Sequence, residues 1–166
     1  MKNVITFLAA ALLSNSAVAD VIHGRVVGVS DGDTITVLDA NHQQHRIRLT
    51  GIDAPEKKQE FGNVSKQALS GMVFGKEVSV NFAKRDRYGR VLGRVSAPGV
   101  QDVNLAQISA GMAWHYKRYA GDQPAAERAA YAAAERLAQA KGRGLWADKS
   151  PTPPWDFRRA GAVAFR

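Results

Sequence analysis

The chain has 166 residues, 45% of them hydrophobic and 23% charged, with no cysteine, a formal charge of +8 and a pI of about 10.0. That balance suits a folded domain rather than a disordered tract. The missing cysteine excludes disulfides, thiol nucleophiles and thiolate metal sites, while so basic a surface favours polyanions through steering and counterion release.

Residues 1–19 read as a signal peptide. Lys2 supplies the positive start, Val4 to Leu13 an apolar run, and Ala17-Val18-Ala19 the small-residue pattern that predicts cleavage before Asp20. The run falls short of the roughly 20 residues that span a bilayer, and Ser14-Asn15-Ser16 ends it. The mature chain keeps 147 of the 166 residues and, without Lys2, a charge of +7. It is expected to be exported, periplasmic or secreted, with no membrane attachment after cleavage.

From Val21 to Ile52 apolar and polar residues alternate between turn signals, which predicts strands at Val21–Ser30, Thr34–Leu38 and Gln44–Leu49. In the third strand Ile47 and Leu49 share one face and Arg46 and Arg48 the other, so Arg48 points away from the core. Phe61 to Phe74 has helical spacing, with Val64, Ala68, Met72 and Val73 as its buried stripe and Gly75 as its stop. Glu77–Phe82 and Arg90–Val95 are two further strands. Asn104 to Trp114 predicts a second helix and Asp122 to Lys141 a third, capped by Asp122, with Pro124 in its first turn and Gly142 after its end.

These elements predict an α+β fold: a five-stranded β-barrel carrying about three α-helices, occupying residues 20–150. Residues 151–166 change in composition, with Pro151, Pro153 and Pro154 followed by Trp155, Phe157, Arg158 and Arg159. They read as a tail, packed locally or disordered, in preference to a basic arm on nucleic acid.

Charge gathers in four clusters: Asp31-Gly32-Asp33-Thr34, Arg48, Asp53-Ala54-Pro55-Glu56 and Asp86-Arg87-Tyr88-Gly89-Arg90. Ile35 stands where an EF-hand would place its third oxygen ligand, so the first cluster is not that loop. One carboxylate from each of two neighbouring strand ends, with a backbone carbonyl and waters, suits a hard cation such as Ca²⁺. Asp53 is one such carboxylate; Asp33 is favoured over Asp31 as the other, Asp31 adding negative potential. Glu56 is the candidate base or water-orienting group.

Attack on a phosphodiester gathers charge on the phosphoryl oxygens, and the forked guanidinium of arginine meets it better than lysine. Arg48 and Arg90 are the candidates, with Arg87 and Arg94 as alternatives. His42 and His45 raise a zinc site, but with no cysteine and no clear third ligand they read as a solvated pair. Trp114, Tyr131 and Trp146 read as core, and His115 is not assigned a catalytic part.

In this order and spacing, together with Gly51-Ile52, Ala110-Gly111-Met112-Ala113-Trp114 and Gly144-Leu145-Trp146, these clusters resemble the staphylococcal (thermonuclease-type) nucleases over residues 21–150. The resemblance implies one oligonucleotide-binding (OB-fold) barrel that hydrolyses DNA and RNA with Ca²⁺, breaking the 5′ P–O bond and leaving 3′-phosphates. It implies Asp33 and Asp53 as metal carboxylates and Ala54 as the backbone-carbonyl position, where the best-known member carries threonine. Glu56 falls on the base, Arg48 and Arg90 on the transition-state arginines, and Tyr116 and Tyr119 near the tyrosines of the nucleotide pocket. A non-catalytic binding module of the same fold need not keep all five charged residues, which favours the enzyme. Nothing in the sequence demands a dimer, so a monomer is expected.

Overall fold

Alternation of buried and exposed side chains builds β1 (Asp20–Asp31), β2 (Thr34–Asp39) and β3 (Gln44–Leu49), and continues in β5 (Glu77–Arg85) and β6 (Val91–Ser96). The computed structural model describes residues 20–163, so the predicted signal peptide lies outside the described residues. The five strands close into a barrel in the order β1-β2-β3-β6-β5. All neighbours are antiparallel except β3 and β6, which run parallel with Ile47 opposite Val91 and Arg48 opposite Leu92. Closure removes the open edges that a five-stranded sheet would otherwise expose. The expected fold class is the observed one.

Inside the barrel Val26, Ile35, Val37, Ile47, Leu49, Val80, Val91 and Val95 are almost wholly buried. A two-stranded sheet outside it pairs β4 (Ile52–Asp53) with β7 (Trp114–His115). Helices α1 (Gly62–Val73), α2 (Val103–Ser109), α3 (Ala125–Ala140) and α4 (Pro154–Val163) complete the described residues, with 3₁₀ turns at Lys117–Asp122 and Gly144–Ala147. Buried Asn104 on α2 ties three barrel groups together: its amide donates to the Thr50 and Gly93 carbonyls, and its oxygen accepts from the Val95 N–H.

Several boundaries and faces differ from the sequence reading. In α1 the buried residues are Gly62, Ser65, Leu69 and Val73, while Val64 is exposed. The helix is turned so that small residues at its start meet the loops around the site. The second helix ends at Ser109, because Gly111 takes a φ of 69° and the chain turns into β7 instead of continuing to Trp114. Asp122 does not cap α3. It closes the 3₁₀ turn and pairs with Lys84, and Pro124 leads directly into the helix. Residues 154–163, read as part of a tail, form a fourth helix.

Candidate active site

The hairpin joining β1 to β2 is two residues long, Gly32 and Asp33, between the paired Asp31 and Thr34. A bulge between Val29 and Asp31 raises the local twist just before it. Asp31 caps the turn, its carboxylate accepting the Asp33 N–H at 3.1 Å. Asp31 therefore shapes the loop, and Asp33 carries the buried carboxylate. Gly32 lies under α1 so closely that a Cβ there would run into the Ser65 hydroxyl, and its carbonyl accepts from Gln107 on α2 at 2.7 Å. Two helices thus clamp the turn.

Asp33 and Asp53 are both almost completely buried, at 1% and 0% exposure. Burial of like charges is costly unless positive charge and hydrogen bonds meet them. Asp33 accepts from the Thr34 hydroxyl at 3.0 Å and from the Ala54 N–H at 2.8 Å, so the two acidic loops are stitched directly to each other. Arg48, the register partner of Thr34, bridges the pair: one Nη is in contact with Asp33 and the other donates to Asp53 at 2.7 Å. The outward face predicted for Arg48 is the face that carries the site.

Asp53 is held by the short β4–β7 pairing opposite Trp114. Glu56 lies three residues further on, at the rim, with its side chain 40% exposed. Its loop closes on itself: the Gln59 N–H donates to the Glu56 carbonyl at 2.8 Å, and the Gln59 side chain accepts from the Glu56 N–H at 3.1 Å. α1 begins with Gly62 because a side chain there would collide with the Glu56 carbonyl.

The donor set fits a hard divalent cation in kind. Asp33 and Asp53 offer neighbouring hard oxygens, bridged here by the Arg48 guanidinium, and Ala54 follows on the same buried loop. Among the described residues no three acidic or histidine side chains converge, so a cation here needs backbone carbonyl and water to complete its shell. His45 is engaged elsewhere, 2.7 Å from the Asp39 carboxylate, and this hydrogen bond holds Asp39 below its ordinary pKa. The zinc reading gains nothing from the fold.

Arg90 does not touch the carboxylates. It follows the β5–β6 turn, donating from Nε to Asp86 at 2.7 Å, with its guanidinium carbon 5.6 Å from the Tyr88 ring centre. Two residues before Leu92, the neighbour of Arg48 across the parallel pairing, it follows the outward direction of the same barrel wall. Tyr116 lies just beyond β7 with its N–H on the Gly51 carbonyl at 2.8 Å, and Tyr119 meets it edge to face at 5.4 Å. Trp114 and Tyr131 are core, as expected, and His115 is buried against Gln123.

One site residue was not foreseen. Arg158 of α4 donates to Asp53 through both terminal nitrogens, at 2.7 and 3.3 Å, and to Glu56 at 2.6 Å. Burial works against its charge, yet the bonds to Asp53 and Glu56 raise its pKa above the ordinary arginine value. Trp155, one turn earlier, stacks on Tyr116 with ring centres 5.5 Å apart. The signals were present in Pro154, suited to a first helical turn, and in the three-residue spacing that puts Trp155 and Arg158 on one face.

Residues 46–148 match the family described as staphylococcal nuclease homologue. The chain is 47% identical over 137 residues to an uncharacterized endonuclease of Escherichia coli, across 82% of this chain and 85% of that protein. It is 45% identical over 135 residues to an uncharacterized endonuclease of Haemophilus influenzae, across 81% and 72%. To a micrococcal nuclease of Shigella flexneri it is 41% identical over 161 residues, across 92% and 89%.

Proposed function

Because the chain belongs to the staphylococcal nuclease family and is thereby a phosphodiester hydrolase, we propose that it is an exported, Ca²⁺-dependent nuclease that cleaves DNA and RNA and leaves 3′-phosphates. The observation that carries this reading is the meeting of Asp33 and Asp53 under the fork of Arg48, with Glu56 on the same rim. Export rests on the signal-peptide pattern of residues 1–19. The nuclease is proposed to act as a monomer.

Asp33 and Asp53 would hold the cation with the Ala54 carbonyl and water. Bound there, it would supply Lewis-acid polarisation of a phosphoryl oxygen. Glu56 takes a proton from a water placed in line with the bond to the 5′ oxygen, as a general base at hydrogen-bond reach. The water oxygen adds to phosphorus, the P–O5′ bond breaks, the 5′ oxygen leaves with a proton taken from solvent water, and Glu56 returns its own proton to solvent. Arg48 donates to the phosphoryl oxygens on which charge accumulates. Arg90 supplies a second guanidinium from the same wall by exchanging its Asp86 partner for phosphate. Tyr116 and Tyr119 offer ring faces to the adjoining base or sugar.

The deciding experiment is cleavage of single-stranded DNA and RNA by the full chain with Ca²⁺, with EDTA and with Glu56→Gln, mapping the product ends. Calcium-dependent cleavage to 3′-phosphates is expected, with turnover lowered by about 10²–10⁴ in the variant, the range of general acid–base catalysis. Binding without cleavage under any metal would instead make this a binding module of the same fold. Export is checked by the amino-terminal sequence of protein recovered outside the cytoplasm, expected to start at Asp20.

A further inference from the structure

We propose that α4 is a built-in occupant of the active site, a strap whose Arg158 competes with a divalent cation for Asp53 and whose Trp155 competes with a nucleobase for Tyr116; this rests on the cation reading above. The helix lies beyond the residues matched to the family, which end at 148. It adds a segment to the nuclease frame and lays it across the two surfaces that the proposed reaction uses.

Both oxygens of Asp53 are engaged. Oδ1 accepts from Arg48 at 2.7 Å and from Arg158 at 3.3 Å, and Oδ2 accepts from Arg158 at 2.7 Å. Three of the roughly four lone-pair sites of the Asp53 carboxylate are thereby taken, so a cation that takes Asp53 as a ligand meets a guanidinium charge beside the site that is left and binds better once one of these groups withdraws. Arg48 is the poor candidate to leave. It stands on a barrel strand, is 18% exposed, and is also paired with Asp33. Arg158 is 42% exposed, pairs with Glu56 as well, and rides on a helix joined to the domain through a proline-rich link.

Arg158 also bonds the group assigned as base. A carboxylate that accepts a guanidinium hydrogen bond at 2.6 Å has one oxygen less for the attacking water. One helical turn away, Trp155 lies nearly parallel to Tyr116 at 5.5 Å and 22°, the arrangement a base would take on that ring. A single helix face thus presents a flat aromatic group and a cation to the tyrosine and the acids of the site. The link to the domain includes a hydrogen bond from the Gln59 side chain to the Thr152 carbonyl at 2.5 Å, so the strap has an anchor from which α4 can swing. Partly exposed ion pairs are weak, which makes the exchange reversible at modest cation concentration.

The test is calorimetric titration of the full chain with Ca²⁺ alone, for the wild type, Arg158→Gln, Trp155→Ala and Asp53→Asn. Amide hydrogen exchange of residues 154–163 is followed in the wild type with and without saturating Ca²⁺. Expected are a Kd about tenfold lower in R158Q, a modest gain as suits a partly exposed pair, and faster exchange of α4 when Ca²⁺ is added. W155A is expected to bind a short oligothymidylate more tightly than the wild type. Ca²⁺ binding that is lost in D53N but unchanged or weaker in R158Q would overturn the strap while leaving the cation site standing. Exchange in α4 that ignores Ca²⁺ would overturn it as well. If neither the wild type nor R158Q takes up Ca²⁺, the cation reading itself falls, and the competition with it.

Discussion

Arg48 acts through the shape of its fork, which spans carboxylates delivered by two different loops, Asp33 from the β1–β2 turn and Asp53 from β4. A lysine in its place is a point charge that reaches one carboxylate and cannot present two parallel donors to a phosphate. Arg48→Lys is expected to fold with a lowered melting midpoint, since one buried carboxylate loses its Arg48 partner, and to lose about 10²-fold in kcat/KM, the size of one lost oxyanion donor. Activity near wild type would mean that Arg48 serves only to neutralise the acids. The three residues of this constellation were legible in the sequence because short-range rules place them: strand alternation for Arg48, a two-residue turn for Asp33, a strand end for Asp53. Arg158 was not, because its partner Asp53 lies 105 residues away and only packing brings them together.

Turns and helices fix how these residues are presented, and the β5–β6 turn does so for Arg90. Asp86 accepts the N–H groups of Tyr88 and Arg90 at 2.9 and 3.0 Å as well as the Arg90 side chain, so one carboxylate sets both the turn and the guanidinium. Burial raises the Asp86 pKa, but the Arg90 hydrogen bonds outweigh it and hold the carboxyl below its ordinary value. A depressed carboxyl stabilises the fold above the unfolded-state pKa of about 3.9, and that contribution is lost as pH falls through the folded-state value. Asp86→Asn is therefore expected to cost about 1 kcal/mol in urea unfolding at pH 7, with the gap to wild type closing only below about pH 4. A gap that persists at pH 2 would assign the turn's stability to something other than the charge. The sequence made this turn visible through Asp86, Gly89 and their spacing. It misled on the faces of α1, where Ser65 and Gly62 are buried because α1 packs its small residues against the Gly32 turn and the Glu56 carbonyl. Hydrophobicity alone gives no sign of such close approach.

At the scale of the molecule, the barrel and the charge have separate tasks. The closed sheet was legible as five strands, yet the parallel β3–β6 contact that closes it joins segments with no local signal for each other; it is set by the need to bury Ile47 and Val91 in one interior. Net charge has no part in that choice, and it acts instead on the substrate. A chain of +8 approaching a single-stranded polyanion releases condensed counterions, so binding must weaken with salt. For an oligonucleotide binding to the full chain carrying Glu56→Gln, log K is expected to fall linearly with log[salt], with a slope of about −0.7 for each phosphate engaged. Arg90→Ala should then reduce the slope by about that amount, since Arg90 is paired with Asp86 and not with Asp33, Asp53 or Glu56, and is assigned to phosphate in exchange for Asp86. Val64→Ala, an exposed apolar change on α1, should leave it unaltered. A slope near zero would show that the positive charge is spent within the protein, on pairs such as Arg48 with Asp33 and Asp53, and that substrate is held by stacking on Tyr116 and its neighbours instead.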